Sequence, residues 1–229
     1  MVEIITKSVD EAMSPPRFIY ITGCDGAGKT TQAQLMIARL RAEGQKVRHV
    51  WLRFPFLLSV PLLIYARWRG LSWSEKTNGV RHGYWDFSRS ILLRSLLPLL
   101  LFGDACLAGA IRIYLPLLLG RTVVCERFVL DMIADLTVAY GDLSFLTSYQ
   151  ARLYLRLIPP ESAITILEVD EKTIRNRRPD LESDRRLTER LELYKKIAAK
   201  FDIPMVSNTQ PMVETHNAIL FQLKSSGRV

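Results

Sequence analysis

Short apolar runs rich in β-branched and aromatic residues recur along the chain, separated by stretches with helical spacing. Residues 18–22 (FIYIT) precede a glycine and predict a buried strand. Four further runs predict strands at residues 47–52, 122–125, 163–169 and 203–206. Because short apolar strands that alternate with helices are typical of a parallel sheet covered on both faces, we expect an α/β fold with five parallel strands.

Helical spacing fills the intervals between these strands. In residues 29–41 the apolar side chains Leu35, Ile37 and Leu40 recur at helical spacing, and Gly44 follows as a stop signal. Further helices are predicted at residues 107–119, 130–140, 148–157, 188–200 and 212–224.

The first 17 residues differ from the rest of the chain. Residues 1–17 are polar and mixed in charge, and they lack the apolar core of a signal peptide. We expect them to form a flexible extension, and residues 18–229 to form one domain of a length that allows a hydrophobic core. The three cysteines show no CxxC spacing, so neither a zinc site nor a disulfide framework is predicted, and the reducing cytoplasm is the expected location.

The most apolar part of the chain lies between residues 54 and 102, where FPFLLSVPLLIYA and ILLRSLLPLLLF surround a polar, aromatic middle. A membrane span needs about 20 predominantly apolar residues. The first run is too short and contains two prolines, and the second, extended, carries Arg94 and Asp104. We therefore interpret residues 56–100 as an apolar insert of buried or dimer-interface helices. A membrane-surface element or an apolar ligand site is the alternative.

The formal net charge is +8, and arginine outnumbers lysine 22 to 9. Arginine is suited to bidentate contacts with phosphate. The charge alone leaves both nucleic acid and small polyphosphates open as partners. The basic residues cluster around the phosphate sites described next instead of forming a long stripe, and this argues against nucleic acid.

Residues 23–30 read GCDGAGKT, which matches the phosphate-binding loop GxxxxGK[ST]. The match lies between a predicted strand and a predicted helix, the context in which backbone N–H groups and a helix N-terminus surround an anion. Lys29 is expected to reach the outer phosphates of ATP, and the Thr30 hydroxyl to bind Mg²⁺. The predicted ATP-binding residues are Gly23, Asp25, Gly26, Ala27, Gly28, Lys29, Thr30 and Thr31.

Charged residues follow two other predicted strands. Glu126 and Arg127 come directly after residues 122–125, so they should face the same crevice as the loop. There Glu126 can hold Mg²⁺ and Arg127 a second phosphate. Arg53 follows residues 47–52, where a kinase that acts on a hydroxyl would need a carboxylate as general base. An arginine at this place indicates that the acceptor is itself a phosphate.

A group of arginines lies between the fourth strand and the next helix: Arg175, Arg177, Arg178, Arg185 and Arg186. The loop itself contains no arginine before Lys29, so phosphoryl transfer would need a cation from elsewhere. We interpret residues 171–187 as a closing lid, with Arg175 and Arg178 as candidates for the catalytic arginine. The alternative is a solvated basic loop.

Together these segments resemble the thymidylate kinase family of nucleoside monophosphate kinases, over residues 18–223 but not much of 57–99. The matching segments are ITGCDGAGKTTQ, LRFP, LLFGDACLAGAIRIYLPLLLGRTVVCERF and LEVDEKTIRNRR. The resemblance implies a P-loop kinase fold, a homodimer, ATP and Mg²⁺ as cofactors, and a catalytic arginine in the lid. It also implies site roles: Asp25 at the acceptor sugar, Arg53 and Arg127 on its phosphate, Phe102 stacked on its base, and Glu126, for the usual Asp, near Mg²⁺.

The chain departs from the family at the positions that read the base. Cys106 stands where the family has an arginine, and Asp131, Asp135 and Leu136 stand where it has Ser and Tyr-Gln. Loss of such hydrogen-bonding groups should reduce discrimination between bases by orders of magnitude.

The first hypothesis is therefore phosphoryl transfer from ATP to a nucleoside monophosphate, with dTMP as the family's default acceptor. An apolar or membrane-associated monophosphate is a second acceptor, and a membrane surface is the less favoured partner. A deoxynucleoside kinase and a non-catalytic nucleotide-binding module remain as alternatives.

Overall fold

The structure is a computed structural model that describes residues 16–53, 57–77, 80–182 and 184–225. The predicted N-terminal extension, residues 1–17, lies outside this range except for its last two residues.

Over the described residues, seven strands form two sheets. They are β1 (Phe18–Gly23), β2 (Val47–Trp51), β3 (Ser72–Thr77), β4 (Val80–Trp85), β5 (Thr122–Glu126), β6 (Ser162–Glu168) and β7 (Met205–Ser207). The main sheet has the order β2-β5-β1-β6-β7, and all of its pairs are parallel. The predicted α/β fold with five parallel strands is confirmed.

Nine α-helices surround and extend this sheet in the described part of the chain. They are α1 (Lys29–Ala42), α2 (Val60–Trp68), α3 (Ile91–Gly109), α4 (Leu115–Leu118), α5 (Val129–Tyr140), α6 (Tyr149–Leu155), α7 (Glu171–Arg177), α8 (Leu187–Phe201) and α9 (Met212–Ser225). A π-helical turn, Ala110–Tyr114, joins α3 to α4. Every residue of β1 and β5 is buried, as expected for central strands that are covered on both faces.

The order of the sheet positions the candidate site. Strand β1 lies between β5 and β6, and Ile21 of β1 is in register with Glu126 of β5. Trp51 of β2 is paired with the same glutamate. The carboxyl ends of three neighbouring strands therefore meet at one edge, where open α/β sheets bind ligands.

The apolar insert differs most from the prediction. The helix expected to begin at residue 107 begins at Ile91, where the Ser90 hydroxyl accepts a hydrogen bond from the Leu93 amide at 3.3 Å. The polar, aromatic middle forms the antiparallel hairpin β3–β4, which the sequence reading did not identify.

One face of α3 is buried in the core. Leu93, Leu97 and Leu101 are fully buried, and the Tyr154 hydroxyl of α6 donates to the Pro98 carbonyl at 2.7 Å. Over the described residues, the helical stretch 91–118 is the one long and apolar enough to cross a membrane, and 33% of its most apolar window is buried.

Asp104 of α3 anchors the start of α2. Its buried carboxylate accepts hydrogen bonds from the amides of Leu57, Leu58 and Ser59, at 3.1, 2.6 and 3.1 Å. The Ser59 hydroxyl donates to it as well, at 2.6 Å. Burial opposes the charge, but these four hydrogen bonds outweigh it and lower the pKa of Asp104. The acidic residue that interrupts the apolar run therefore ties two helices together.

We expect Asp104→Asn to lower the free energy of unfolding by about 2 kcal/mol at neutral pH, since an amide nitrogen would face amide donors. Because the folded pKa is depressed, the carboxylate stabilises the protein above the unfolded value of about 3.9 and stops doing so as the pH falls through the folded value. The difference between the two proteins should therefore shrink below pH of about 4, in urea unfolding at several pH values. The exposed variant Glu189→Gln serves as control, and a difference independent of pH would contradict the assignment.

Candidate active site

The loop between β1 and α1 has the backbone that its glycines allow. Gly26 and Gly28 have φ values of +83° and +84°. A Cβ on Gly28 would lie 2.4 Å from the Asn208 side-chain nitrogen, which donates to the Ala27 carbonyl at 2.7 Å. The loop is therefore closely packed against the residue that follows β7, and a larger residue at either glycine would disturb it.

Lys29 is buried within this loop. Its ammonium group donates to the carbonyls of Gly23 and Cys24, both at 2.8 Å. Burial lowers the pKa of Lys29, and the nearby Asp131 carboxylate opposes this effect. The lysine thus satisfies loop carbonyls at the place where the phosphates of a nucleotide are expected.

Thr30 and Glu126 join the helix end of the loop to β5. The Thr30 hydroxyl donates to Glu126 at 2.7 Å, and Glu126 is 1% exposed. The other carboxylate oxygen lies 2.7 Å from Nε2 of His49, a residue of β2 that the sequence reading passed over. A hydroxyl and a carboxylate oxygen at this distance are the hard ligands that Mg²⁺ prefers, so both predicted metal ligands fit the ion.

These residues would supply only part of a magnesium shell. Among the described residues no group of three or more His, Cys, Asp and Glu side chains is arranged to hold a metal ion. Mg²⁺ in kinases usually takes one or two protein ligands and completes its shell with phosphates and water. The pair Thr30 and Glu126 is consistent with that arrangement.

Arg53 and Arg127 meet at Asp25 of the loop. Arg53 lies 3.4 Å from one carboxylate oxygen of Asp25, and the Arg127 guanidinium is paired with the other. Arg127 is buried and has a φ of +61°, a left-handed conformation that is uncommon for a side chain of this size. The structure thus brings together the three residues that the sequence assigns to the acceptor's sugar and phosphate.

Asp131 of α5 is a buried hydrogen-bond acceptor that supports Arg127 in this arrangement. It is 1% exposed and accepts hydrogen bonds from five groups. The donors are the Tyr20 hydroxyl at 2.8 Å, the Thr22 hydroxyl at 2.9 Å, the Tyr194 hydroxyl at 2.9 Å, the Phe128 amide at 3.1 Å and Arg127 at 3.3 Å. Burial and the Asp131 carboxylate raise the pKa of both tyrosines well above the ordinary value, so they remain neutral donors.

Asp135, one turn further along α5, pairs with Arg53. Its two carboxylate oxygens lie 3.0 and 3.2 Å from Nε and Nη2 of the arginine, a bidentate pair. Burial disfavours the charge on Arg53, but Asp135 outweighs this effect and the pKa lies above the usual value. The Asp135 carboxylate therefore occupies the edge of the Arg53 guanidinium that, from the sequence, is expected to bind the acceptor phosphate.

Two of the predicted lid arginines are engaged within the lid. Arg175 is paired with Glu171 at 2.7 Å and donates to the Leu181 carbonyl at 3.0 Å. Arg178 forms a bidentate pair with Asp180, at 2.7 and 2.6 Å. The stem of Arg178 nevertheless lies over the loop, since a Cβ on Gly26 would come within 3.5 Å of its Cγ. Their catalytic role stays a prediction.

The described architecture matches a solved kinase. A crystal structure of thymidylate kinase from Ehrlichia chaffeensis at 2.15 Å superposes with a TM-score of 0.55. The match covers 92% of this chain and 100% of that one, at 19% sequence identity. The chain has a thymidylate kinase-like fold. No protein-family model matches the sequence, and no curated protein matches it at a significant level.

Within the thymidylate kinase-like fold, Phe102 and Cys106 lie one turn apart on α3. Phe102 is partly buried and packs edge-on against Tyr154, with ring centroids 5.7 Å apart. Cys106 is partly buried as well, and burial raises the pKa of its thiol. A neutral thiol replaces the arginine of the family here, and contact of either residue with a base stays a prediction.

Arg190 of α8 is a cation that the sequence reading did not select. It pairs with Asp184 at 3.3 Å, and its Nε is the one buried side-chain nitrogen or oxygen among the described residues without a hydrogen-bond partner. Burial raises the pKa of the Cys24 thiol in the loop to about 11. The nearby positive charges of Lys29 and Arg190 partly offset this rise. Arg190 lies one turn beyond Arg186, outside the basic run, and no motif identified it.

Arg186 links the lid to the β3–β4 hairpin. It donates to the Trp85 carbonyl at 2.8 Å, and its guanidinium lies 5.8 Å from the centre of the Tyr84 ring. This arginine of the predicted lid therefore joins the unexpected hairpin to the start of α8.

Proposed function

We propose that this chain transfers the γ-phosphoryl group of ATP, with Mg²⁺, to the phosphate of a nucleoside monophosphate. The observation that carries the proposal is the convergence of Arg53 and Arg127 on Asp25, inside a GxxxxGK[ST] loop. Two fixed guanidinium groups beside a donor-phosphate loop can bring two anions together. The thymidylate kinase-like fold supports the same assignment.

Each residue of the site has a task in this proposal. The loop amides and Lys29 hold the donor phosphates, and Thr30 and Glu126 would hold Mg²⁺. The metal would neutralise negative charge on the phosphates. Arg53 and Arg127 hold the acceptor phosphate, whose oxygen is already ionised and needs no general base. Asp25, placed between them, is free to accept a hydrogen bond from the acceptor's sugar once the arginines turn to phosphate.

The transferred group needs a further cation, and the proposal takes it from the lid. Arg175 and Arg178 are the candidates from the sequence, and Arg190 is a third because its buried Nε lacks a partner. Any of the three would have to exchange its present carboxylate for the phosphoryl group on closure.

The acceptor's base is the least constrained part of the proposal, because Cys106, Asp135 and Leu136 replace the family's polar residues. An acceptor panel tests it: ADP release is measured with ATP, Mg²⁺ and each nucleoside monophosphate in turn. Release that depends on a monophosphate supports the proposal, and dTMP is the family default. Absence of ADP formation with every nucleotide acceptor would contradict it. The homodimer implied by the resemblance and the cytoplasmic location inferred from the cysteine pattern also remain proposals.

A second candidate keeps the chemistry and changes the acceptor to an apolar monophosphate. The observation in its favour is the exposed apolar surface of the insert, with Ile64 at 64% and Ile91 at 85% exposure. Activity that requires detergent or lipid with an apolar monophosphate would support it, and full activity on free nucleotides would contradict it.

We expect Arg53→Gln to reduce kcat/KM for the acceptor about a hundredfold, because a bidentate charged contact with phosphate is lost. The affinity for ATP, measured with a fluorescent analogue, should change by less than about threefold, since Arg53 lies on the other side of the crevice from the predicted donor phosphates. Arg48→Gln, which removes the same charge from an exposed position of β2, is the matched control. Equal effects on both substrates would contradict the role of Arg53.

A further inference from the structure

His49 lies on β2, at the edge of the main sheet, and contacts the carboxylate of Glu126 on the neighbouring strand. Its Nε2 is 2.7 Å from Oε1 of Glu126. An ionised carboxylate accepts hydrogen bonds and has no hydrogen to donate, so we assign the hydrogen of this contact to Nε2. Glu126 is 1% exposed, whereas 39% of the His49 side chain is exposed. The imidazole therefore covers the buried carboxylate from the edge of the sheet.

The pairing of β2 with β5 explains how the two side chains meet. Trp51 is in register with Glu126, and His49 lies two positions before Trp51 on β2. Because side chains alternate between the two faces of a strand, His49 and Trp51 point to one face of the sheet, and Glu126 points to the same face. Thr30, at the start of α1, contacts the carboxylate as well. The carboxylate is therefore held between the edge strand and the helix that begins at the phosphate-binding loop.

Each oxygen of this carboxylate has a partner of its own. Oε1 accepts from His49 and Oε2 accepts from the Thr30 hydroxyl, both at 2.7 Å. Thr30 and Glu126 are the proposed ligands of Mg²⁺. A glutamate has one more rotatable bond than the aspartate that is usual in the family, so more conformational freedom must be lost to keep its carboxylate in one orientation. The contact with His49 restricts that freedom and leaves Oε2 beside the Thr30 oxygen.

Carboxylates that bind a metal are commonly held by hydrogen bonds from residues outside the coordination shell, and loss of such a partner weakens metal binding about 10- to 100-fold. We propose that His49 is a positioning residue, which holds the Glu126 carboxylate in the orientation in which it binds Mg²⁺. This role rests on the proposed function, because it concerns the same metal ligands. It adds a residue of β2 that belongs to none of the motifs of the chain.

Metal binding in the absence of turnover tests this role. Mn²⁺ serves as the probe in place of Mg²⁺, and electron paramagnetic resonance measures its free fraction in the presence of the full-length protein and ADP. We expect His49→Ala to weaken the binding of Mn²⁺ to the protein–ADP complex about tenfold. The affinity for a fluorescent ATP analogue in EDTA should change by less than about threefold, since Lys29 and the loop amides are unchanged.

Three further variants serve as rescue and controls. His49→Gln can donate from an amide nitrogen near the position of Nε2, and it should bind Mn²⁺ within about threefold of the unchanged protein. Arg48→Ala removes the neighbouring exposed side chain, which points to the other face of β2, and should alter the Mn²⁺ affinity by less than about threefold. In a protein that already carries Glu126→Gln, addition of His49→Ala should weaken Mn²⁺ binding no further, because His49 acts through the Glu126 carboxylate.

The measurements separate this role from the proposed function. Equal Mn²⁺ affinities of the unchanged protein and His49→Ala would overturn the role of His49 and leave the proposed function intact. If His49→Ala instead loses nucleotide affinity equally with and without metal, and also unfolds at lower urea concentration, His49 serves only the fold and the positioning role is again overturned. An unchanged protein that binds no nucleotide in either condition would contradict the proposed function, and the role of His49 with it.

Discussion

Replacement of Lys29 by alanine should reduce turnover by at least about a thousandfold, because the proposed function assigns this cation to the transferred phosphoryl group. The ammonium is buried and fixed by the Gly23 and Cys24 carbonyls, so no neighbouring lysine can take its place. The measurement is ADP release with the best acceptor of the panel, at saturating ATP. Residual activity near that of the unchanged protein would overturn the proposed chemistry.

A loss of activity on Lys29→Ala counts only if the protein remains folded. Lys29→Met keeps the aliphatic stem in the buried space, so its unfolding curve in urea separates loss of charge from loss of packing. Lys46→Ala, at an exposed position before β2, is the matched control and should keep full activity. If Lys29→Met is folded and active, the lysine serves only the conformation of the loop.

The largest loss of stability is expected for Asp131→Ala. Removal of the Asp131 carboxylate leaves Arg127 without a buried partner. The buried hydroxyl groups of Tyr20, Thr22 and Tyr194 also lose their hydrogen-bond acceptor. We expect the free energy of unfolding to fall by about 3 to 5 kcal/mol, as is typical when one partner of a buried charged network is removed. Urea unfolding measures the change.

The control for Asp131 is an acidic residue with a comparable partner at the surface. Glu192 lies 3.1 Å from Lys195 but is 59% exposed, so Glu192→Ala should change stability by less than about 1 kcal/mol. Equal effects of the two variants would show that the Asp131 network does not stabilise the fold. Where Asp131→Asn still folds, we also expect a higher KM for the acceptor, because Arg127 loses its charged support.

The position of the loop proposed to hold the nucleotide phosphates was predictable because its motif is local. GCDGAGKT begins at Gly23, the last of the six buried residues of β1, so the strand itself fixes where the loop begins. Glu126 and Arg53 were predictable in the same way, since each follows an apolar strand and parallel strands end at one edge. These inferences need only the order of the predicted strands along the chain and the period of the hydrophobic pattern.

The contacts that the sequence did not reveal act across long separations in the chain. Asp131 joins α5 to Tyr20, 111 residues away, and Asn208 reaches the loop carbonyl of Ala27 over 181 residues. No local pattern in the sequence predicts these contacts. The β3–β4 hairpin is different, because the residues between its strands are Asn-Gly, a dipeptide typical of hairpin turns that the sequence reading did not use.

The start of α3 shows how tertiary structure decides an ambiguous pattern. ILLRSLLPLLLF is apolar at almost every position, so its periodicity does not reveal which face is buried. In the fold, Leu93, Leu97 and Leu101 enter the core while Leu92, Leu96 and Leu99 do not. Asp104, which reads as an interruption of the run, is the residue that fixes α2 against it.

If Arg53 binds the acceptor phosphate as proposed, its bidentate pair with Asp135 makes acceptor binding an exchange reaction. A ligand that offers only a phosphate gains the arginine's contacts but releases a carboxylate, which must then find hydrogen-bond donors or water. Sulfate and inorganic phosphate gain little from such an exchange. A monophosphate whose sugar or base also donates hydrogen bonds to the released Asp135 gains binding free energy from both residues, Arg53 and Asp135. Under the proposed function, the Asp135 carboxylate would therefore disfavour sulfate and inorganic phosphate relative to a nucleoside monophosphate.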